Sequence, residues 1–136
     1  MAEVYISDKW MEILCKKLNS DPQYAQIARN WEGDLAIAVE PTGDLKEALF
    51  IYLDLWHGAC RAAKLVPSLE GMQAAFILTA TYDDITKILT GKLDPMQALM
   101  IRKLRVQGSM AYMMRNVPTV LDFVRVAREV TSEILS

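Results

Sequence analysis

The stretch EALFIYLDLWHGACRAAKLV, residues 47–66, decides the fold of this chain. In its first half the side chains alternate with a period of two, which predicts a β-strand over residues 47–56. One face of this strand carries four aliphatic side chains: Leu49, Ile51, Leu53 and Leu55. The pair His57 and Gly58 predicts a tight hairpin connection, followed by a second strand over residues 59–66.

Further strands flank this hairpin on both sides. Before it, residues 35–39 alternate aliphatic side chains with alanines, and residues 41–44 have the composition of a turn. After it, residues 73–82, QAAFILTATY, are rich in residue types that favour strands. Because the links between the four strands are short, we expect an antiparallel meander. The weakly alternating strand over residues 59–66 is expected at an edge.

Helical spacing marks the chain on either side of these strands. Apolar residues recur every three or four positions within the first thirty residues. There, Asp21 followed by Pro22 predicts the start of a second helix. The acidic pair Asp83 and Asp84 offers the N-cap of a short helix that ends at Gly91.

The last third of the chain predicts three more helices and one strand. Asp94 followed by proline opens a short helix, a short strand ends at Gly108, and Ser109 caps another short helix. The last helix is amphipathic and starts at Thr119, which resembles a capping box together with Asp122. The polar side chains expected on its outward face are Asp122, Arg125, Arg128, Glu129 and Glu133.

The predicted order of elements is therefore α-α-β-β-β-β-α-α-β-α-α. Strands followed by helices favour an α+β fold, here a five-stranded, mainly antiparallel sheet with helices packed on one face. The length of 136 residues fits a single domain over residues 1–136.

Composition and charge exclude several classes of protein. Hydrophobic residues make up 52% of the chain, but no apolar run reaches the roughly 20 residues that span a bilayer. The first residues also lack the basic and apolar regions of a signal peptide, so we expect a cytoplasmic protein. The net charge of −2 does not indicate a nucleic-acid partner.

Few residues offer catalytic or metal-binding chemistry. Cys15 and Cys60 lack CxxC spacing and His57 is the one histidine, so neither a metal site nor a cofactor is expected. Buried, unreactive thiols are a simpler interpretation than a cysteine nucleophile paired with this histidine. Asp83 and Asp84 are adjacent, which suits a helix start better than an acid–base pair facing one substrate. We therefore expect no enzymatic activity.

Methionines and basic residues concentrate in one segment. Five of the eight methionines lie between Met96 and Met114, at helical spacing that predicts inward-facing side chains. Methionine adapts to ligands of varied shape, whereas a uniquely packed core usually prefers leucine, isoleucine and valine. Residues 87–115 also carry six bases and one acid. We predict an apolar cavity between the sheet and the helices of residues 85–125, with cations placed to meet an acidic headgroup.

The segment ILTGKLDPMQALMIRKLRVQGSMAYMMRN, residues 88–116, resembles the signature region of the sterol carrier protein type 2 family. In that family a short helix ends in T-G-K and a D/N-P helix follows. A G-K-L-like strand that ends in glycine then leads into a further helix. These features lie here at residues 90–92, 94–95, 103–108 and 109–114. One position departs from the pattern, since the glycine that often precedes the K-L pair is Arg102 here.

This resemblance implies a hydrophobic tunnel between sheet and helices that binds sterols, fatty acids, acyl-CoA esters, isoprenoids or other lipids without catalysis. The tunnel wall is expected to comprise Phe76, Leu78, Met96, Leu99, Met100, Met110, Met113, Met114, Leu121 and Phe123. Arg102, Lys103 and Arg105 are the expected contacts for the ligand headgroup.

Two other roles remain open at this point. The same fold serves elsewhere as an interaction or dimerisation module, or as an accessory subunit that presents a lipid-like substrate to an enzyme. In that case the C-terminal helix would form an interface, for example in a homodimer. A lipid carrier also has to meet a bilayer, and the basic stretch at residues 102–105 would attract an anionic membrane surface.

Overall fold

A computed structural model describes residues 5–136, so the part of the first predicted helix at residues 1–4 lies outside the described chain. The helices are α1 (Asp8–Ser20), α2 (Pro22–Ile27), α3 (Tyr82–Leu89), α4 (Pro95–Met100), α5 (Met110–Arg115) and α6 (Val117–Leu135). The strands are β1 (Leu35–Glu40), β2 (Leu49–Trp56), β3 (Ala59–Val66), β4 (Phe76–Thr81) and β5 (Arg105–Gln107). The predicted order of elements and the α+β class are confirmed.

The five strands form one mixed sheet in the order β3-β2-β1-β4-β5. Three neighbouring pairs are antiparallel, and β1 pairs with β4 in parallel. The predicted four-strand meander is therefore wrong for its last strand, because β4 crosses over to β1 instead of joining β3. The predicted edge position of β3 is confirmed. The positions of strands along a sequence show that the strands exist, but they do not show which earlier strand a later one pairs with.

The register places aliphatic side chains in rows across one face of the sheet. Ile51 lies opposite Ile37, which lies opposite Leu78, which in turn lies opposite Val106. In a second row, Leu35 pairs with Leu53 on β2 and with Phe76 on β4. Directly paired residues share a face of the sheet, so these rows form a continuous apolar surface under the helices.

The β2–β3 hairpin turns through His57 and Gly58, as predicted. Both residues have a positive φ, 49° and 81° respectively. A Cβ atom at Gly58 would lie 2.6 Å from the carbonyl oxygen of Ala25. The turn therefore requires glycine both for its backbone conformation and for its close approach to helix α2.

Side-chain caps define where most of the helices begin. In five of them a side-chain oxygen accepts a backbone N–H of the first turn: Ser7, Asp21, Thr81, Asp94 and Ser109. The predicted caps at Asp21, Asp94 and Ser109 are confirmed. The predicted cap of α3 at Asp83 or Asp84 is wrong, since both acids lie in its first turn. There they are stabilised by the positive end of the helix dipole.

Helix α6 does not begin as expected. It starts at Val117, two residues before the predicted start, and Asn116 makes no side-chain capping bond. The hydroxyl of Thr119 donates to the backbone carbonyl of Ile27 at 3.3 Å, so it takes no part in a capping box.

Asp122 was expected to face outward on α6, but it is only 5% exposed. Its Oδ1 accepts from Nε2 of Gln23 at 2.7 Å and from Nε of Arg125 at 2.8 Å. Arg125 also donates to Asp21 at 2.9 Å, the residue that caps α2. The buried aspartate thus fastens α6 to α2. A buried carboxylate is tolerated when it is fully paired in this way.

Candidate functional site

An apolar cavity of about 120 Å³ lies between the sheet and the helices. Its floor is made by aliphatic side chains of β1, β2 and β4, namely Leu35, Ile37, Ile51, Leu53, Leu55 and Leu78. Its opposite side comes from α3 and α6, namely Ile85, Ile88, Leu89, Thr119, Val120, Phe123, Val124 and Ala127. Pro95, Leu104 and Met113 contribute from the segment between them. The predicted location of an apolar space, between the sheet and the helices of residues 85–125, matches this cavity.

The cavity surface is apolar even where polar residue types line it, because their polar atoms are bonded elsewhere. The indole N–H of Trp10 donates to Oγ1 of Thr131 at 3.2 Å. The indole N–H of Trp31 donates to the carbonyl of Gly33 at 2.8 Å. Thr119 presents its methyl group, since its hydroxyl is bonded to α2. Burial raises the pKa of Tyr24, whose phenol therefore stays uncharged against the cavity.

A space of this size is large for a protein interior, where voids above the size of one water molecule are few. Engineered cavities of about 150 Å³ lined by similar side chains stay dry and take up benzene. The space is therefore suited to a hydrocarbon group and unsuited to water or ions. A long acyl chain needs more volume, so its binding requires the wall to move outward.

The five methionines of residues 96–114 do not all face the cavity. Met113 is 4% exposed and lines the cavity. Met100, Met110 and Met114 are 83%, 41% and 53% exposed, so their predicted inward orientation is wrong. Met96 is half-buried on α4 but does not line the cavity. These helices are only six residues long, and a period of 3.6 over so few positions does not fix which face is buried.

Of the other residues predicted for the tunnel wall, some line the cavity and others do not. Leu78 and Phe123 line the cavity from opposite sides. Phe76 is buried beside it, with its ring stacked on Trp31 at 5.5 Å between centroids. Leu99 is half-buried outside the lining, and Leu121 is 42% exposed on α6.

The structure places the three predicted headgroup contacts outside the cavity lining. Arg102 is exposed and adopts a left-handed backbone with φ 64°. Nζ of Lys103 lies 3.6 Å from a carboxylate oxygen of Asp84, and Arg105 donates to Glu40 at 2.6 Å. Lys103 and Arg105 flank Leu104, which does line the cavity.

Most of the lining was not predicted as a binding surface. The residues of β1 and β2 that form the cavity floor were recognised as one face of each strand. Such an aliphatic face on neighbouring strands is the sequence signal that would have predicted this part of the lining. Trp10 and Trp31 come from α1 and the loop after α2, and their approach to the cavity depends on tertiary packing. Tyr112 on α5 fixes Trp31, since the two rings meet edge to face at 5.2 Å. The Tyr112 hydroxyl also accepts from the backbone N–H of Glu32 at 2.9 Å.

The residues with catalytic or metal chemistry lie away from the cavity. Nε2 of His57 lies 2.6 Å from a carboxylate oxygen of Glu32 at the hairpin. Sγ of Cys15 donates to the carbonyl of Cys60 at 3.4 Å, and burial raises the pKa of the Cys60 thiol. Within residues 5–136, no group of three or more histidine, cysteine or acidic side chains is placed to hold a metal ion.

Comparison with known proteins agrees with this geometry. The model of the SCP-2 sterol transfer family matches residues 12–120. The chain belongs to the SCP-2 sterol transfer family. This is a family of lipid-binding proteins, and its fold is generally non-enzymatic. No curated protein sequence matches the chain.

Two solved structures of this type are similar over nearly the whole chain. A crystal structure of sterol carrier protein 2 is 35% identical, with a TM-score of 0.83, over 93% of this chain and 98% of that one. The solution structure of TT1886 from Thermus thermophilus, described as possibly a sterol carrier protein, is 36% identical, with a TM-score of 0.82, over 94% and 90%.

A more distant structure shares the fold alone. The sterol carrier protein domain 2 of Helicoverpa armigera is 20% identical, with a TM-score of 0.60, over 95% of this chain and 96% of that one. Among the described residues of this chain, no helix has the length and apolar character to cross a membrane.

Proposed function

We propose that the protein binds a lipid-like molecule with its hydrocarbon part in the cavity and transfers it without covalent chemistry. The ligand class comprises fatty acids, acyl-CoA esters, and sterol-like or isoprenoid lipids. The observation that carries the proposal is the unfilled, apolar cavity between the sheet and α6. Membership in the SCP-2 sterol transfer family supports it.

The energetics favour this use of the cavity. Moving a methylene group from water into an apolar site is worth about 0.8 kcal/mol. That corresponds to about a fourfold gain in affinity for each methylene that enters. A tail of a dozen methylenes would therefore bind tightly without any specific polar contact, provided that moving the wall outward and restricting the ligand cost less free energy than this burial supplies.

In this proposal the tail lies between Leu78 on the sheet and Phe123 on α6, against Met113. An acidic headgroup would then lie at the edge of the cavity near Leu104, where Lys103 and Arg105 flank the chain. Both cations already have carboxylate partners, so a headgroup would compete with Asp84 and Glu40. We therefore expect tail length to govern affinity more strongly than headgroup charge.

Two measurements test the proposal. The purified protein is extracted with organic solvent, and the extract is analysed by mass spectrometry. The delipidated protein is then titrated with a fluorescent fatty acid. We expect either a near-stoichiometric lipid in the extract or saturable uptake of the probe. Protein that carries no lipid and takes up no probe would overturn the proposal.

The chain length of the ligand provides a sharper readout. For a series of saturated fatty acids, affinity should rise about fourfold per methylene while the tail fills the existing space. It should rise more slowly once the wall has to move. An affinity independent of chain length would place the binding site outside the cavity.

A further inference from the structure

Large exposed hydrophobic side chains are concentrated in one segment of the chain. Of the seven that are exposed among the described residues, five fall within residues 100–121. They are Met100, Ile101, Met110, Met114 and Leu121. Their elements, α4 to α6, also supply Pro95, Met113 and Phe123 to the cavity. Helices α4 to α6 thus carry apolar side chains both toward the cavity and toward solvent.

The same segment is strongly basic. Residues 91–121 contain five bases and one acid, in a chain whose net charge is −2. Lys103 and Arg105 are paired with acids from outside the segment. Within residues 5–136, no carboxylate oxygen lies within 4 Å of Lys92, Arg102 or Arg115. Exposed cations are therefore available beside the exposed methionines.

The backbone turn at Arg102 places a cation beside the exposed apolar side chains. Its φ of 64° lies in the left-handed region, which costs a non-glycine residue roughly 1–2 kcal/mol. This conformation ends helix α4, because it lets the backbone N–H of Arg102 donate to the carbonyl of Leu99 at 3.3 Å and that of Lys103 donate to the carbonyl of Ala98 at 2.9 Å. The turn leaves the Arg102 side chain exposed next to Met100 and Ile101, without an ion pair to a described residue.

We propose that residues 100–121 form a docking surface for an anionic lipid bilayer. Met100, Ile101 and Met114 enter the boundary between headgroups and acyl chains, while Arg102 and Arg115 contact lipid phosphates. An apolar surface fringed with arginine and lysine has the composition of segments that lie in the membrane interface. Docking on this side brings the wall of the cavity against the bilayer, which is the source or destination of an apolar ligand.

Other occupants of the surface fit less well. A symmetric pairing with a second copy would place the basic segment of one protomer against that of the other, which is electrostatically unfavourable. A protein partner usually meets exposed aromatic anchors. In residues 100–121, Tyr112 is the one aromatic residue, and it is half-buried against Trp31. The docking proposal does not depend on whether, or with which lipid, the cavity is filled.

The test is flotation of the full chain with lipid vesicles. Vesicles of phosphatidylcholine alone are compared with vesicles that contain about a third phosphatidylserine, at low and high salt. The double variant Met100→Asp with Ile101→Asp probes the apolar surface. Leu135→Asp is its control, since Leu135 is 54% exposed at the far end of α6. Arg102→Gln with Arg115→Gln probes the charges, and Lys9→Gln with Lys46→Gln removes the same charge elsewhere.

We expect the wild type to float with anionic vesicles at low salt and to be released at high salt. The Met100 and Ile101 double variant should lose at least about tenfold in vesicle affinity. The Arg102 and Arg115 double variant should lose about fivefold for each charge removed. Both control proteins should bind like the wild type. Thermal unfolding should be close to that of the wild type in all variants, because the substituted residues are exposed.

Three results would overturn the proposal. The first is wild-type protein that ignores anionic vesicles at low salt. The second is an equal loss of binding in a docking variant and its control. The third is a dimer, detected by light scattering, that the Met100 and Ile101 substitutions dissociate, since this would assign the surface to a second copy. Uptake of a fluorescent fatty acid by the docking variants, measured without vesicles, reports separately on the cavity.

Discussion

Met113 and Met114 are neighbours in the chain, but Met113 points from helix α5 into the interior and Met114 into solvent. Met113 is 4% exposed and lines the cavity, whereas Met114 is 53% exposed to solvent. A helix turns by about 100° per residue, so one short helix can present one methionine to each side. This division underlies the two proposals, since the inner methionine belongs to the ligand cavity and the outer one to the docking surface.

Filling the cavity should block ligand uptake. Val120 is half-buried on α6 and lines the cavity. Val120→Trp should place an indole ring in the space and reduce the affinity for a fluorescent fatty acid at least about tenfold. Val66→Trp makes the same change at a half-buried valine outside the lining and should leave uptake near the wild-type value. Equal uptake by the two variants would show that the ligand lies elsewhere.

Replacing Arg102 with glycine should stabilise the protein. Glycine adopts the left-handed backbone at this position without steric strain, which outweighs its greater freedom in the unfolded chain. We expect a gain of about 0.5–1 kcal/mol in the free energy of unfolding, or a few degrees in melting temperature. Lys92→Gly, at a position without a positive φ, should give no such gain. A less stable Arg102→Gly protein would contradict the assigned strain.

Gly108 packs more tightly than Gly91, although both have a positive φ. A Cβ atom at Gly108 would lie 2.6 Å from the carbonyl oxygen of Ala75 and 2.7 Å from Cδ1 of Phe76. A Cβ atom at Gly91 would meet no atom within 4 Å. Gly108→Ala should therefore destabilise by at least about 1–2 kcal/mol more than Gly91→Ala in chemical unfolding. Equal losses would mean that the backbone at Gly108 does not lie against Ala75 and Phe76 at these distances.

The link between Asp21 and Arg125 should appear as a dependence of stability on pH. A hydrogen bond from the Tyr24 backbone N–H, and then one from Arg125, lower the pKa of Asp21 from its ordinary 3.8. A carboxylate with a lowered pKa in the folded state stabilises that state above pH 3.8, and this contribution is lost as the pH falls further.

Asp21→Asn keeps a side-chain oxygen for the helix cap but removes the charge. At neutral pH it should lower the free energy of unfolding by about 1 kcal/mol, after allowance for the partial exposure of the pair. The difference from the wild type should shrink as the pH falls below 3.8. Denaturant unfolding at several pH values measures this, and a difference that stays constant with pH would contradict the assigned pKa shift.

The sequence predicted the elements of the fold better than their pairing. Residue spacing, strand-favouring residue types and cap residues together located the five strands and six helices of the described chain, since all of these signals are local. The parallel pairing of β4 with β1 was missed, because short connections equally allow a strand to join its predecessor or to cross over. The outward orientation predicted for Asp122 was wrong for a similar reason, since its partner Gln23 lies on α2 and meets it only after α2 and α6 have packed.

The cavity was located correctly, but its lining was predicted only in part. Leu78 was predicted on the inner face of β4, although a one-residue slip in register would have selected Ile77 and Thr79 instead. Phe123 follows from the apolar stripe of α6. The methionines on α4 and α5 lie on helices of six residues, where the orientation depends on neighbouring elements. The departure from the family pattern at Arg102 was visible in the sequence. The left-handed backbone that accompanies it was not.

The most direct test of the proposed function is the response of the two adjacent methionines to a ligand. The protein is labelled with ¹³C at the methionine methyl groups, and NMR spectra are recorded during titration with a fatty acid in the absence of vesicles. Met113→Leu and Met114→Leu assign the two signals. The proposed function predicts a large shift of the Met113 signal and little change at Met114. A shift at Met114 alone, or saturable binding with Met113 unchanged, would contradict a ligand in the cavity.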